Sequence, residues 1–106
     1  MADPAPQLLT AVEAADRLDD FRLLDVREDH ERAEGYIAPS LHIPLGELSV
    51  RAGELDPAAP LLVYCHSGVR SAMAAEALRA AGYEAADLEG GMVAWEQAGL
   101  PVASDA

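Results

Sequence analysis

Pro60-Leu61-Leu62-Val63-Tyr64-Cys65-His66-Ser67-Gly68-Val69-Arg70-Ser71 sets four apolar residues before a lone cysteine and a short polar loop. The run Leu61-Leu62-Val63-Tyr64 has no polar interruption, which suits a strand buried on both faces of a parallel sheet. Beyond the loop, residues 71–81 are alanine-rich and predict a helix. Met73, Ala77 and Leu78 are spaced for its apolar face, and Gly82 closes it. The cysteine therefore falls at the carboxyl end of a strand, just before a helix begins.

The flanking sequence repeats this alternation. Upstream, Thr10 and Glu13 form a capping box that opens a helix reaching Leu18, and Asp19-Asp20 suits a turn. Arg22-Leu23-Leu24-Asp25-Val26-Arg27 predicts a second buried strand, and residues 28–34 one or two helical turns ended by Gly35. Leu41-His42-Ile43 reads as a short strand stopped by Pro44, with another helix within residues 45–55. Downstream, residues 83–88 predict a strand, Gly90-Gly91 a turn, and residues 92–98 a helix ended by Gly99 and Pro101. Strands alternating with helices at this spacing predict an α/β domain whose parallel sheet is covered on both faces. In such sheets ligands bind beyond the carboxyl ends of the strands, which is where Cys65 falls.

A chain of 106 residues suits one small domain. Its expected bounds are 8–103, between a flexible N-terminal segment (1–7) and a flexible tail (104–106). Much of the 51% hydrophobic content is alanine, so the larger apolar residues must be well placed. The net charge is -12 and all seven basic residues are arginine. So negative a field argues against nucleic acid or an anionic membrane surface as a partner. Any site for a small anion must build its own positive potential. One cysteine allows no internal disulfide, and neither a signal peptide nor a spanning run is evident, so a cytoplasmic location is expected.

The loop itself predicts chemistry. Unpaired amides at a helix start carry partial positive charge, and a tight loop around the sulfur adds more donors. Gly68 permits backbone conformations that a side chain would block, and Arg70 places a cation at the rim. Together they favour a nucleophilic thiolate at Cys65. The alternative is an inert core cysteine, the usual state of a lone cysteine after an apolar strand. His66 adjoins the nucleophile, but neighbouring side chains in a curled loop diverge, which predicts a solvent-facing or substrate-screening role rather than a dyad. His30 and His42 read as structural, and Met73, Met92 and Trp95 as core. No metal-ligand spacing is present, and nothing calls for a cofactor.

The chain resembles the single-domain rhodaneses. The motif Cys65-His66-Ser67-Gly68-Val69-Arg70-Ser71 is similar to their active-site loop. Other landmarks follow in the family's order: Leu24-Asp25-Val26-Arg27-Glu28, Gly35-Tyr36-Ile37, Ile43-Pro44-Leu45 and Leu88-Glu89-Gly90-Gly91-Met92-Val93-Ala94-Trp95. The resemblance covers about residues 8–102 and implies a five-stranded parallel sheet with helices on both faces. It implies that Cys65 carries sulfur as a persulfide surrounded by the amides of His66, Ser67, Gly68, Val69, Arg70 and Ser71, with Arg70 binding an anionic donor and holding the loop's shape. Asp25 and Arg27 would stand beside the pocket, either touching substrate or fixing the strand end as an ion pair. The implied activity moves sulfur from thiosulfate or a related donor to cyanide or a thiol, and a protein partner could supply or accept it. Tyr36 replaces the family's usual histidine, and Ala38-Pro39-Ser40 its usual Pro-Gly-Ala.

Two other functions compete. Cysteine phosphatases and arsenate reductases also set a thiolate in an anion-binding loop with an arginine. The tyrosine phosphatases, however, place five residues between the two, whereas four separate Cys65 from Arg70. The shorter loop suits a sulfur atom better than a tetrahedral phosphate. The second competitor is a non-enzymatic relay that passes persulfide between proteins, with the acidic surface as its docking face.

Overall fold

The computed structural model describes residues 6–105. Five parallel strands form one sheet in the order β1-β5-β4-β2-β3. They are β1 (Leu8–Leu9), β2 (Arg22–Asp25), β3 (Ser40–His42), β4 (Leu61–Tyr64) and β5 (Ala85–Leu88). The helices are α1 (Ala11–Asp16), α2 (Asp29–Arg32), α3 (Leu48–Arg51), α4 (Val69–Ala80) and α5 (Gly91–Gln97).

The alternation of side chains along each strand divides the interior in two. From β4, Leu61 and Val63 join Cys65 in a cluster with Leu48 of α3 and Ala74, Ala75 and Leu78 of α4. Leu62 and Tyr64 face the other way, toward Ala11 and Ala14 of α1 and Met92 and Trp95 of α5. Each large apolar side chain buried this way contributes roughly 1.5–3 kcal/mol. Alanines line both helical layers, so the helices approach the sheet closely and little bulk is needed between them.

The capping box at Thr10 forms as expected: Thr10 Oγ1 accepts from the Glu13 amide and Glu13 returns a bond to the Thr10 amide. Three elements differ from the sequence reading. Leu8–Leu9 is a strand, held at the sheet edge because Gln7 and Leu9 carbonyls accept from the Asp87 and Glu89 amides. Helix α4 starts at Val69, two residues early, and packs through Ser71, Ala74, Ala75 and Leu78. Met73 is consequently turned outward and is 59% exposed, unlike Met92 and Trp95, which are core. Gly91 is the first residue of α5 rather than part of a turn preceding it.

Of the segments expected to be flexible, residues 1–5 and 106 lie outside the described residues. Near the C-terminus Ala103 forms an antiparallel bridge with Tyr36, and the Tyr36 hydroxyl donates to Asp105. No helix among the described residues is long and apolar enough to cross a membrane.

β4 is the middle strand, with β5 on one side and β2 on the other. The chain leaves β2 for β3 in one direction and β4 for β5 in the other. The carboxyl ends of β2 and β4 therefore flank the switch point of the sheet, the natural crevice of an open α/β fold. Asp25 ends β2 and Tyr64 ends β4, and the two are register partners.

Candidate active site

Cys65 follows β4 directly and is 1% exposed. Its carbon side belongs to the apolar cluster, but its sulfur meets polar groups. The Gly68 amide donates to Sγ at 3.1 Å and the Ser71 amide at 3.4 Å, while the Ser71 hydroxyl lies 3.3 Å away. The Ser71 amide is free to do this because it belongs to the first turn of α4, whose N–H groups have no carbonyl behind them. Among the described residues, Gly68 and Ser71 supply the amides that reach the sulfur, a smaller set than the whole loop. Donors converging on sulfur stabilise negative charge there.

Gly68 caps α4 with φ of 101°, a conformation that an L side chain resists. A second glycine seats the loop from outside. The first amides of α5 donate to its carbonyls, Met92 to Cys65 at 2.9 Å and Val93 to His66 at 3.0 Å. A Cβ on Gly91 would overlap the Cys65 carbonyl oxygen and come within 2.7 Å of the His66 oxygen. The Gly90-Gly91 pair thus permits a helix N-terminus to press against the backbone of the Cys65 loop.

Arg70 is half-buried and hydrogen-bonded to Glu31, at 2.7 Å from Nη1 to Oε1 and 2.8 Å from Nη2 to Oε2. Those bonds hold the Glu31 carboxyl down at about 2, against a residual cost of burial. Glu31 Oε1 also accepts from the Glu28 amide at the start of α2. Arg70 is close enough to Cys65 to interact with it electrostatically.

Asp25 and Arg27 are buried at the end of β2. Arg27 Nε and Nη2 donate to the two carboxylate oxygens of Asp25 at 3.0 and 2.9 Å. Arg32 reaches Asp25 Oδ2 at 3.3 Å. The remaining Arg27 donors go to the carbonyls of Glu31 and Gly35. The ion pair thereby ties both ends of the α2 segment to the sheet, and α2 carries the carboxylate that meets Arg70.

His66 and Ser67 are exposed at the loop rim and Val69 is 67% exposed. His42 Nε2 lies 2.7 Å from the Arg27 carbonyl oxygen, a structural contact. Among the described residues no group of three or more His, Cys, Asp and Glu side chains is arranged to hold a metal ion.

Two contributors escaped the sequence reading. One is Glu31, in the segment 28–34 that the sequence marks only as one or two helical turns. The other is Asp87, a carboxylate on β5 that accepts from the Ser71 hydroxyl at 2.5 Å and is 7% exposed. Burial raises its pKa, opposed by the Ser71 hydrogen bond. A charged residue in mid-strand, where both faces of the sheet are covered, was the available signal.

A family model for the rhodanese-like domain matches residues 10–98. A putative sulfurtransferase of Bacillus subtilis is 38% identical over 78 residues, 74% of this chain and 76% of that protein. A sulfurtransferase of Allochromatium vinosum is 35% identical over 85 residues, 79% of each. The crystal structure of a rhodanese-related protein from Thermoplasma volcanium superimposes with a TM-score of 0.89 at 35% identity, covering 92% of this chain and 97% of that one.

Proposed function

This chain belongs to the rhodanese-like domain family, and on that premise we propose that it is a sulfurtransferase whose Cys65 carries sulfane sulfur as a persulfide. The observation that carries the reading is the convergence of the Gly68 and Ser71 amides on Sγ beyond the central strand. Donors fixed before the reaction stabilise anionic sulfur without reorganising.

With thiosulfate as donor, the Cys65 thiolate attacks the outer sulfur. A new S–S bond forms, the S–S bond of thiosulfate breaks, and its electron pair leaves with sulfite. The terminal sulfur of the persulfide then carries the negative charge. Cyanide or a thiolate attacks that sulfur, forms thiocyanate or a new persulfide, and returns Cys65 as thiolate. Each half is a nucleophilic displacement, so ping-pong kinetics follow. Arg70 serves the anionic donor at the loop rim, and Asp25 with Arg27 holds the α2 segment in place.

One contact favours a second reading. Arg70 is the cation nearest the sulfur along the loop, and Glu31 already neutralises it. A compensated cation attracts a free dianion weakly, whereas a protein persulfide donor needs no such attraction. Relay from a protein is therefore the alternative to thiosulfate turnover.

Intact mass spectrometry separates the two. The protein is incubated with thiosulfate, with mercaptopyruvate, and with a persulfidated protein donor, alongside Cys65→Ser. Gain of one sulfur from thiosulfate by the parent alone supports the enzyme, and gain from the protein donor alone supports the relay. No gain from any donor, or equal gain by Cys65→Ser, defeats both.

A further inference from the structure

Asp87, Ser71 and Cys65 form a chain of hydrogen-bonding atoms. Asp87 Oδ1 lies 2.5 Å from Ser71 Oγ, which lies 3.3 Å from Cys65 Sγ. Ser71 is fully buried. Asp87 pairs in the sheet with Leu8 and Val63, neither of which titrates. The charged groups around it are Arg79 of α4, which favours its ionised form, and Glu89 just past β5, which opposes it. On the sulfur side stand the Gly68 and Ser71 amides and the neutralised Arg70–Glu31 pair.

A hydroxyl has one proton to give. When Asp87 is a carboxylate, Ser71 donates to it and presents only lone pairs to Cys65, an arrangement that suits a thiol donating S–H. When Asp87 is protonated, its O–H donates to Ser71 and frees the Ser71 proton for the sulfur, which suits a thiolate. The two arrangements hold the same protons. They differ by transfer of one from sulfur to Ser71 and one from Ser71 to carboxylate, with the net charge unchanged.

We infer that Asp87 is a positioning residue for the chemistry at Cys65: through Ser71 it determines whether the sulfur faces a lone pair or a proton. The bearing on turnover rests on the sulfur-transfer reading above; the coupling itself does not. Burial of Asp87, which opposes its ionisation, keeps the second arrangement within reach.

The test is alkylation of Cys65 by iodoacetamide, read by intact mass, in the parent, Asp87→Asn, Ser71→Ala and the double variant. Asparagine removes the charge that holds the Ser71 proton and offers an N–H that can donate to Ser71, as protonated Asp87 does. Asp87→Asn should then react about tenfold faster than the parent at mildly acidic pH, the gain in thiolate produced by about one pH unit. The advantage should vanish at strongly alkaline pH, where all the sulfur is ionised; a gain at every pH would mean mere loosening of the loop and would overturn the inference. In the Ser71→Ala background the gain should disappear. Persistence there would assign it to the lost charge of Asp87 acting through space, and an Asp87→Asn rate equal to the parent's would equally defeat the coupling.

A second measurement avoids changing Asp87. The carboxyl ¹³C signal of Asp87 is titrated in the parent and in Cys65→Ala. Coupling is reciprocal, so the parent curve should carry an inflection where the sulfur ionises, and Cys65→Ala should lose it. Identical curves would overturn the inference. Sulfur uptake by the parent is measured in parallel: uptake without coupling defeats this inference alone, and coupling without uptake defeats only the sulfur-transfer reading.

Discussion

Arg70 and Glu31 meet through two parallel hydrogen bonds, of 2.7 and 2.8 Å, although 39 positions separate them in the chain. The pair joins the start of α4, beside the Cys65 loop, to α2 and neutralises a cation that interacts with the sulfur. Glu31→Gln should uncover that charge and lower the KM for thiosulfate about threefold, equivalent to ~0.7 kcal/mol. Arg70→Ala should raise it. Steady-state kinetics with thiosulfate and cyanide check both, and an unchanged KM in either variant would remove Arg70 from the donor site.

Acid should dissolve the same pair. The Arg70 hydrogen bonds hold Glu31 at about 2, below its ordinary value of 4.5. A carboxyl depressed by folding contributes stability that is complete above its unfolded value and is lost as pH falls through its folded one. Urea unfolding of parent and Glu31→Gln should show a parental advantage that is full above about pH 4.5 and gone near pH 2. An advantage constant across that window would mean that the carboxylate charge contributes nothing.

Asp87 should behave oppositely, because burial raises its pKa. The folded state then holds its proton more tightly than the unfolded chain, and ionisation opposes folding. At neutral pH Asp87→Asn should unfold at higher urea than the parent, and the difference should shrink on acidification as Asp87 takes up its proton. A variant less stable at neutral pH would show that the Ser71 bond outweighs desolvation.

Removing Arg27 should affect both fold and site. Arg27→Met strips the buried Asp25 of its bidentate guanidinium and leaves it the backbone amide of residue 27 and the longer Arg32 contact, at a cost of roughly 3–5 kcal/mol. It also frees the Glu31 and Gly35 carbonyls from their donor, so the α2 segment should loosen. Thermal melting should fall sharply, with a shifted KM for thiosulfate. Arg17→Ala, whose partner Asp20 is exposed, should leave melting almost unmoved.

Gly91→Ala should cost at least about 2 kcal/mol, from φ of 53° and from contact with the loop carbonyls. It should also abolish sulfur uptake, because the carbonyls of Cys65 and His66 could no longer receive the α5 amides. Gly53→Ala meets open space and has no positive φ, so it should retain uptake. Uptake retained by Gly91→Ala would show that α5 is not what seats the loop.

Much of this architecture is legible in local sequence. The Thr10–Glu13 cap, the apolar run of β4 and the Cys65 loop each follow from a few adjacent residues. What escaped depends on partners far away. Leu8–Leu9 is too short for a strand pattern and becomes one only beside β5. Glu31 takes its part in the site by facing Arg70 across the chain, and Asp87, though marked by its place in mid-strand, by facing Ser71. A helical period has a free phase, so the spacing alone puts Met73 on the apolar face; α4 instead rests on Ser71, Ala74, Ala75 and Leu78. Proximity across the chain, not residue type, separates these groups from ordinary surface and core.

The docking of α5 on the loop carbonyls carries a consequence for biosynthesis. Cys65 is translated well before Gly91, and the amides of Met92 and Val93 that complete its seat come later still. On the ribosome, the half-made domain displays its thiol without the backing that the finished fold supplies. A chain cut short before Gly90 contains the sequence of β4 and the cysteine yet lacks that backing, so on the proposed function competence for sulfur is expected only once α5 has docked.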